Sequence, residues 1–347
     1  ELRILTEHIV AQAAPTYLMA VAGNADPMLG YMTTSFREHP RLRRQTGRQI
    51  TSAMQKRLVE LSAMTESGAV SGTGADALYA AYHKAGGDTR SLDTLRDEGA
   101  KKIEALAERG FDLGYGCDEN YGDPPAANAR ITGIYSNARR ALYATLDEAV
   151  ISDSSPSYVR VYTRSSDRDD YLAHPTTGEL IDDKDTARIQ ALYPARRPQV
   201  QVVVSDGLNA NAVNENLRSV LPAVRRELLA AGHHVSEIDI VIETGRVRAG
   251  YHAGSLLQAE IIIHLIGERP GTGINTLSAY LTYGLDHKGQ SRWGSRLAGS
   301  FDHSWTTAVC GIHRRGKPPE KAVEEIARLV DQMFAERCSG VALRRRV

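Results

Sequence analysis

The sequence contains few cysteines and no excess of charge of either sign. Its three cysteines, Cys117, Cys310 and Cys338, are too few and too scattered for a disulfide scaffold or a paired-cysteine metal site. Lysine plus arginine and aspartate plus glutamate both total 42, so no net charge attracts nucleic acid or an anionic membrane. No apolar run approaches the roughly 20 residues of a membrane span. These absences favour a cytoplasmic protein without nucleic-acid or membrane partners.

The motifs of several common enzyme classes are missing as well. The chain has no dinucleotide-binding or Walker glycine pattern, no HExxH helix and no GxSxG elbow. Its 11 histidines form no cluster of zinc spacing, so we predict no metal site. His264 lies inside an apolar run and is predicted to be a hydrogen-bonded core histidine. Cys310 has no identifiable base nearby in the sequence, and we expect it to be a small buried residue.

The first half of the chain has the pattern of one α/β unit followed by helices. Leu2–Tyr17 is amphipathic, and Tyr17–Ala22 could form a buried strand before a loop of turn-forming residues. Alanine-rich stretches predict a helical region over 45–150. Residues 151–198 are polar and weakly patterned, and we treat them as a connector. The chain opens at Glu1 without a methionine, so we expect it to begin within a longer protein.

The pattern is clearer after Pro198. Apolar, β-branched runs predict strands, and amphipathic segments between and after them predict helices. The strands are Val200–Val204, Ile238–Ile242, Ile261–Ile266 and Thr306–Ile312, and the helices are Ala212–Ala231, Gly254–Gln258 and Pro319–Phe334. Strands that are apolar throughout are typical of a sheet buried on both faces. We therefore predict an α/β fold with a doubly wound, mostly parallel sheet at the C-terminus.

Three loops follow the predicted strands of this domain. Asp206 and Gly207 follow the first strand, Gly245-Arg246-Val247 the second, and Glu268 lies in the glycine-rich loop after the third. In open α/β sheets, ligands bind beyond the carboxyl ends of the strands. Glycines let the backbone approach a ligand, and a carboxylate can accept hydrogen bonds from its amides. Tight turns with a solvated ion pair would explain the same residues, and spacing alone leaves both interpretations open.

Five short sequence blocks occur in the same order here as in a known protein family. Residues 200–208, 245–247, 263–271, 312–319 and 339–341 resemble the small subunit of adenosylcobalamin-dependent ethanolamine ammonia-lyase. Ser166-Asp167 and Tyr171–Gly178 extend this resemblance more loosely. Residues 22–36 resemble the last stretch of the large, barrel-forming subunit of the same enzyme.

The two resemblances imply an order of domains. Residues 1–44 would be the C-terminal piece of the large-subunit barrel, ending in the last β/α unit of a TIM-type barrel. Residues 45–150 would be a helical extension, 151–198 a connector, and 199–347 a small-subunit-like cobalamin-binding domain.

The resemblance also implies a cofactor site. Adenosylcobalamin would lie between the barrel and the α/β domain, with Val247, Glu268 and Met28 beside it. Asp206, in the loop after the first strand, is a fourth candidate for cofactor binding. The family has a cysteine before its Ile-His-x-x-Gly block, whereas this chain aligns Ala308 there and has Cys310 two residues later. The histidine motif that ligates cobalt in other cobalamin proteins is absent.

The implied reaction converts ethanolamine to acetaldehyde and ammonia. The substrate-binding residues of the family belong to barrel strands that would precede Glu1, so the catalytic residues are not assigned here. The expected partners are ethanolamine, the large-subunit barrel and further copies in an oligomer. The expected location is the cytoplasm, either free or within a bacterial microcompartment. An alternative is a non-catalytic assembly protein that keeps the fold but has lost the cofactor, which the departure at Ala308 favours. A nucleotide-binding transferase rests on fold analogy alone.

Overall fold

The structure is a computed structural model of the chain and divides into two units. One unit is Glu1–Ser136 with Gly271–Gly273, and the other is Asn137–Pro270 with Ile274–Val347. The residues that the structure describes are 2–13, 15, 18, 25–26, 31–32, 39–68, 82–83, 85–86, 88–109, 133, 136–194, 197–270, 273–286, 288–293 and 301–343.

The first unit is mainly helical where it is described. Its elements are α1 (Leu2–Ala13), β1 (Ala25–Asp26), β2 (Tyr31–Met32), α2 (His39–Thr46), α3 (Ser52–Glu60) and α4 (Leu92–Glu108). Strands β1 and β2 pair antiparallel, and Thr51 caps α3 by accepting a hydrogen bond from the amide of Met54. Of the strand predicted at Tyr17–Ala22 only Leu18 is among the described residues, and the cofactor candidate Met28 falls outside them.

The second unit is an α/β domain. Its elements are α5 (Glu148–Ser154), β3 (Tyr158–Tyr162), α6 (Arg168–Ala173), α7 (Asp183–Gln190), β4 (Val200–Ser205), α8 (Ala210–Ala230), β5 (Asp239–Glu243), α9 (Val247–Leu257), β6 (Ile261–Gly267), β7 (Leu277–Tyr283), β8 (Thr306–Ile312) and α10 (Pro319–Glu336). The predicted strands correspond to β4, β5, β6 and β8. The segment 151–198, which we treated as a connector, supplies β3 and two helices of this unit.

The sheet is mixed: it has the predicted parallel core, to which β7 adds an antiparallel strand that the sequence analysis did not predict. Its six strands lie in the order β3-β5-β4-β6-β7-β8. The first four are parallel, but β7 runs antiparallel to both β6 and β8. Only residues 268–276 separate β6 from β7, and the amide of Glu268 bonds the carbonyl of Thr276 3.1 Å away. So short a connection cannot return the chain to start a parallel strand.

Both faces of the sheet are buried beneath helices. Val202 and Val204 pack into one core with α8 and α10, whereas Val203 packs into a second core with α9. All six residues of β4 and all seven of β6 are buried. This arrangement explains why the central strands are apolar throughout, since alternation of side chains leaves no solvated face.

A buried ion pair holds the start of β5. Asp239 is fully buried, and its Oδ1 accepts a hydrogen bond from Arg225 Nη2 on α8 at 2.6 Å. Its Oδ2 accepts from the Ser155 hydroxyl at 2.6 Å. Burial raises the pKa of Asp239, and Arg225 opposes that shift. The pair ties the end of α5 and the middle of α8 to the sheet.

We predict that Arg225→Met destabilises the protein by about 3–5 kcal/mol at pH 7, because it leaves Asp239 buried and unpaired. Urea unfolding followed by circular dichroism measures this loss. Arg226→Met is the matched control: Arg226 is the next residue, is 69% exposed and pairs with the half-exposed Glu227. The control should change stability by less than about 1 kcal/mol. Equal losses of stability in the two variants would contradict the role given to the Arg225–Asp239 ion pair.

Candidate functional site

A cleft of about 160 Å³ opens at the carboxyl ends of β4, β5 and β6. The loops after these three neighbouring strands supply most of its wall, as expected for an open α/β sheet. The lining residues are Tyr171, Gly207, Leu208, Arg246, Val247, Ile266, Gly267, Glu268, Arg269 and Tyr280. The three loops that the sequence analysis selected are therefore neighbours in space.

The candidate cofactor residues occupy different depths. Val247 and Glu268 both line the cleft. Asp206 lies beneath it, with only 4% of its surface exposed, and is absent from the lining.

Asp206 joins the loops after β4 and β5. Its Oδ2 accepts a hydrogen bond from Arg168 Nη1 at 2.9 Å, and its Oδ1 accepts from the amide of Gly245 at 3.1 Å. Arg168 also donates from Nη2 to the carbonyl of Gly207 at 3.0 Å. Burial raises the pKa of this carboxyl, and the Arg168 guanidinium opposes the shift. With both oxygens bonded to protein, Asp206 positions the cleft wall.

Tyr171 supports the same two loops from the side. Its ring is fully buried, with the guanidinium carbons of Arg168 and Arg246 at 4.5 and 4.2 Å from its centroid. Its hydroxyl donates to the carbonyl of Gly245 at 3.2 Å. A Cβ on Gly178 would lie 2.6 Å from the ring, so only glycine fits there. Sequence reasoning missed this support, although the Tyr171–Gly178 block gave a loose signal for it.

His264 is a neutral core histidine, as its apolar surroundings predicted. On β6, its Nε2 accepts a hydrogen bond from the Ser205 hydroxyl, and its Nδ1 lies 3.3 Å from the carbonyl of Val247. Burial lowers its pKa to about 4, so the ring carries no charge at pH 7. This neutral ring connects β4 and β6 to the first residue of α9, where Val247 faces the cleft.

Glu268 is oriented by a tyrosine on β7. The Tyr280 hydroxyl donates to Glu268 Oε1 at 2.9 Å, and burial together with this carboxylate raises the pKa of Tyr280, which keeps it protonated. Ala308 lies opposite Tyr280 in the β7–β8 ladder. Cys310 is exposed, so the expectation that it is buried is wrong: β8 is an edge strand and leaves it uncovered.

The described residues lack two further features, a metal-binding cluster and a membrane-spanning helix. No group of three or more histidine, cysteine or acidic side chains there is arranged to hold a metal ion. In the same part of the chain, no helix has the length and apolar character needed to span a membrane.

We predict that His264 makes stability depend on pH. Below its ordinary pKa of 6.5, the unfolded chain gains a proton on this ring, while the folded protein stays uncharged there down to about pH 4. The free energy of unfolding therefore falls as pH drops from 6.5 towards 4. Urea unfolding at several pH values should show His264→Gln losing less stability over this window than the wild type. The exposed His174→Gln is the control, and parallel curves for all three proteins would contradict this role.

Comparison with known proteins matches both parts of the chain to one enzyme. The family described as ethanolamine ammonia-lyase light chain (EutC) matches residues 124–344, and the family described as ethanolamine ammonia lyase large subunit (EutB) matches residues 4–73. The ethanolamine ammonia-lyase small subunit of Clostridium acetobutylicum is 30% identical over 208 residues, which cover 60% of this chain and 79% of that protein. The small subunit of Listeria monocytogenes is 30% identical over 216 residues, covering 62% of this chain and 68% of that protein.

The light-chain match covers more than half of the 347 residues and includes every strand of the six-stranded sheet. The chain therefore belongs to the ethanolamine ammonia-lyase family of carbon–nitrogen lyases, with a segment of the large subunit and a small subunit joined in one polypeptide.

Proposed function

We propose that this chain supplies the cofactor-facing small-subunit domain of an adenosylcobalamin-dependent ethanolamine ammonia-lyase. The observation that carries the proposal is the meeting of Val247 and Glu268 in one cleft. These two residues were selected by resemblance to small subunits, and they lie on loops after different strands. They lie at the carboxyl edge of the sheet, where α/β proteins bind ligands, and this position supports a role in binding the cofactor.

The chemistry of the lining suits one edge of a corrinoid. Leu208, Val247 and Ile266 offer apolar surface to a broad ring, and the Glu268 carboxylate can accept hydrogen bonds from amide side chains on its rim. A volume of about 160 Å³ is below the roughly 300–1,000 Å³ of pockets that enclose whole ligands. The cleft would thus hold part of the cofactor, and a large-subunit barrel would cover the rest. We propose Met28 as a contact from that side.

The residues of this chain would hold and shield the reaction. When bound, adenosylcobalamin supplies a radical by cobalt–carbon homolysis, and the proposed overall change converts ethanolamine to acetaldehyde and ammonia. Val247 would exclude water from the face of the ring. Tyr280 holds Glu268 in a fixed orientation, and Asp206 with Arg168 holds the loops that carry Gly207 and Val247. Substrate contacts would come from the barrel.

We also propose the domain order that the resemblance implied. Residues 1–44 would belong to the large-subunit barrel, 45–150 would form a helical extension, and 199–347 would form the core of the cobalamin-binding domain. Residues 151–198 add an edge strand to that domain in the structure. Assembly into an oligomer and location in a bacterial microcompartment are parts of the same proposal.

We expect Val247→Asp to weaken cobalamin binding by about tenfold or more, because it places a charge against an apolar ring. Titration of the full chain with cobalamin, followed by the absorption of the corrin, measures the affinity. Val341→Asp is the matched control, since Val341 is 85% exposed and lies outside the cleft lining. Equal affinity in the wild type and both variants would show that the cofactor binds elsewhere.

We expect the full chain alone to release no acetaldehyde from ethanolamine and adenosylcobalamin, and to become active when a complete large subunit is added. A coupled assay for acetaldehyde measures turnover. Turnover by the chain alone would refute the proposal that the substrate contacts come from the large subunit. An unchanged corrin spectrum and no turnover with the large subunit present would instead favour the non-catalytic assembly protein.

A further inference from the structure

The cleft contains two arginines that have no carboxylate partner among the described residues. Arg246 and Arg269 both line it, and neither takes part in an ion pair there. The single carboxylate in the lining, Glu268, accepts a hydrogen bond from Tyr280. Asp206 beneath the cleft is already paired with Arg168. The cleft therefore carries two positive groups against one negative group.

Arg246 is held firmly but is not fully hydrogen-bonded. Its guanidinium packs on the ring of Tyr171, and its Nη2 donates to the carbonyl of Tyr171 at 2.8 Å. Its Nε is enclosed and has no partner among the described residues. Leaving a donor enclosed and unbonded is unfavourable. Because Arg246 lines the cleft, its guanidinium can donate to an acceptor that enters there.

Helix α9 begins directly after Arg246 in the chain. Arg246 is the N-cap residue of α9, and no side chain caps the helix. The first amides of a helix have no partner within it and form its positive end. A planar guanidinium together with amides at a helix start is a combination that binds tetrahedral oxyanions.

We infer that Arg246, assisted by Arg269 and the start of α9, binds a phosphate group. One unit of excess positive charge in the cleft matches a singly charged phosphodiester. The inference deepens the proposed function, because the nucleotide tail of adenosylcobalamin carries such a phosphodiester. Free phosphate or another phosphorylated small molecule has the same chemistry, so the test must separate these sources.

The experiment compares the wild type with Arg246→Gln and with Arg218→Gln as control. Arg218 lies on α8, is half-exposed, pairs with Asp153 and does not line the cleft. Each full-length protein is titrated with cobalamin and with cobinamide, which has the corrin but not the nucleotide tail. The unfolding temperature is also measured in phosphate and in chloride at equal ionic strength.

Arg246→Gln should weaken cobalamin binding by about 10- to 100-fold and leave cobinamide binding unchanged. Retained cobinamide binding shows that the variant is folded. The wild type and Arg218→Gln should also gain more stability from phosphate than Arg246→Gln does. Equal loss of both corrinoids, or no effect of Arg246→Gln on either corrinoid or on phosphate stabilisation, would overturn the inference.

Two other outcomes separate the sources of phosphate. If Arg246→Gln abolishes the phosphate effect while both corrinoids bind wild type and variant equally, the site takes free or other phosphate and the tail lies elsewhere. If neither corrinoid binds any of the proteins, the proposed cofactor role fails, but loss of the phosphate effect in Arg246→Gln still supports the subsite.

Discussion

The buried ion pair between Arg168 and Asp206 is the contact on which the cleft depends. Loops after neighbouring parallel strands have no backbone ladder to hold them, so side chains must set their spacing. Asp206 bonds the amide of Gly245, and Arg168 bonds the carbonyl of Gly207. The pair thus connects both loops to α6 through one carboxylate and one guanidinium. Because both groups are largely buried, loss of either would leave an uncompensated charge, which is strongly destabilising.

Glycine determines how closely the loops after β4 and β6 approach. Gly207 has a positive φ of 58°, and a Cβ there would lie 2.1 Å from the carbonyl oxygen of Gly267. A Cβ on Gly267 would in turn lie 2.1 Å from the carbonyl oxygen of Asn209. Side chains at these positions would force the strand ends apart and separate Glu268 from Leu208. We expected glycines in these loops to let the backbone approach a ligand. In the structure, Gly207 and Gly267 instead let one loop backbone approach another.

The elements that could be predicted are those marked by a pattern within a few consecutive residues. Four strands carry apolar runs, and Thr306–Ile312 has the bounds that its composition indicated. Strand β7 was missed because Leu277–Tyr283 has no continuous apolar run like those of the other strands, although its alternation of apolar and polar residues is also typical of a strand. Strand β3 was missed because its five residues lie among turn formers. Val247 and Glu268 came from resemblance, and the structure places both in the cleft. The support from Tyr171 could not be predicted, since its contacts with Gly245 join residues 74 positions apart.

Position in a loop beyond a strand cannot by itself separate residues that touch a ligand from residues that hold the site in shape. Asp206 was selected on the same grounds of loop position as Glu268, yet both its oxygens are bonded to protein beneath the cleft. Glu268 has one oxygen bonded to Tyr280 and stays half-exposed, so it retains acceptor capacity for a ligand. The two carboxylates are told apart by how many of their oxygens are already hydrogen-bonded to protein. By the same criterion Arg246, which lines the cleft and has no carboxylate partner among the described residues, belongs with the groups that can bind a ligand.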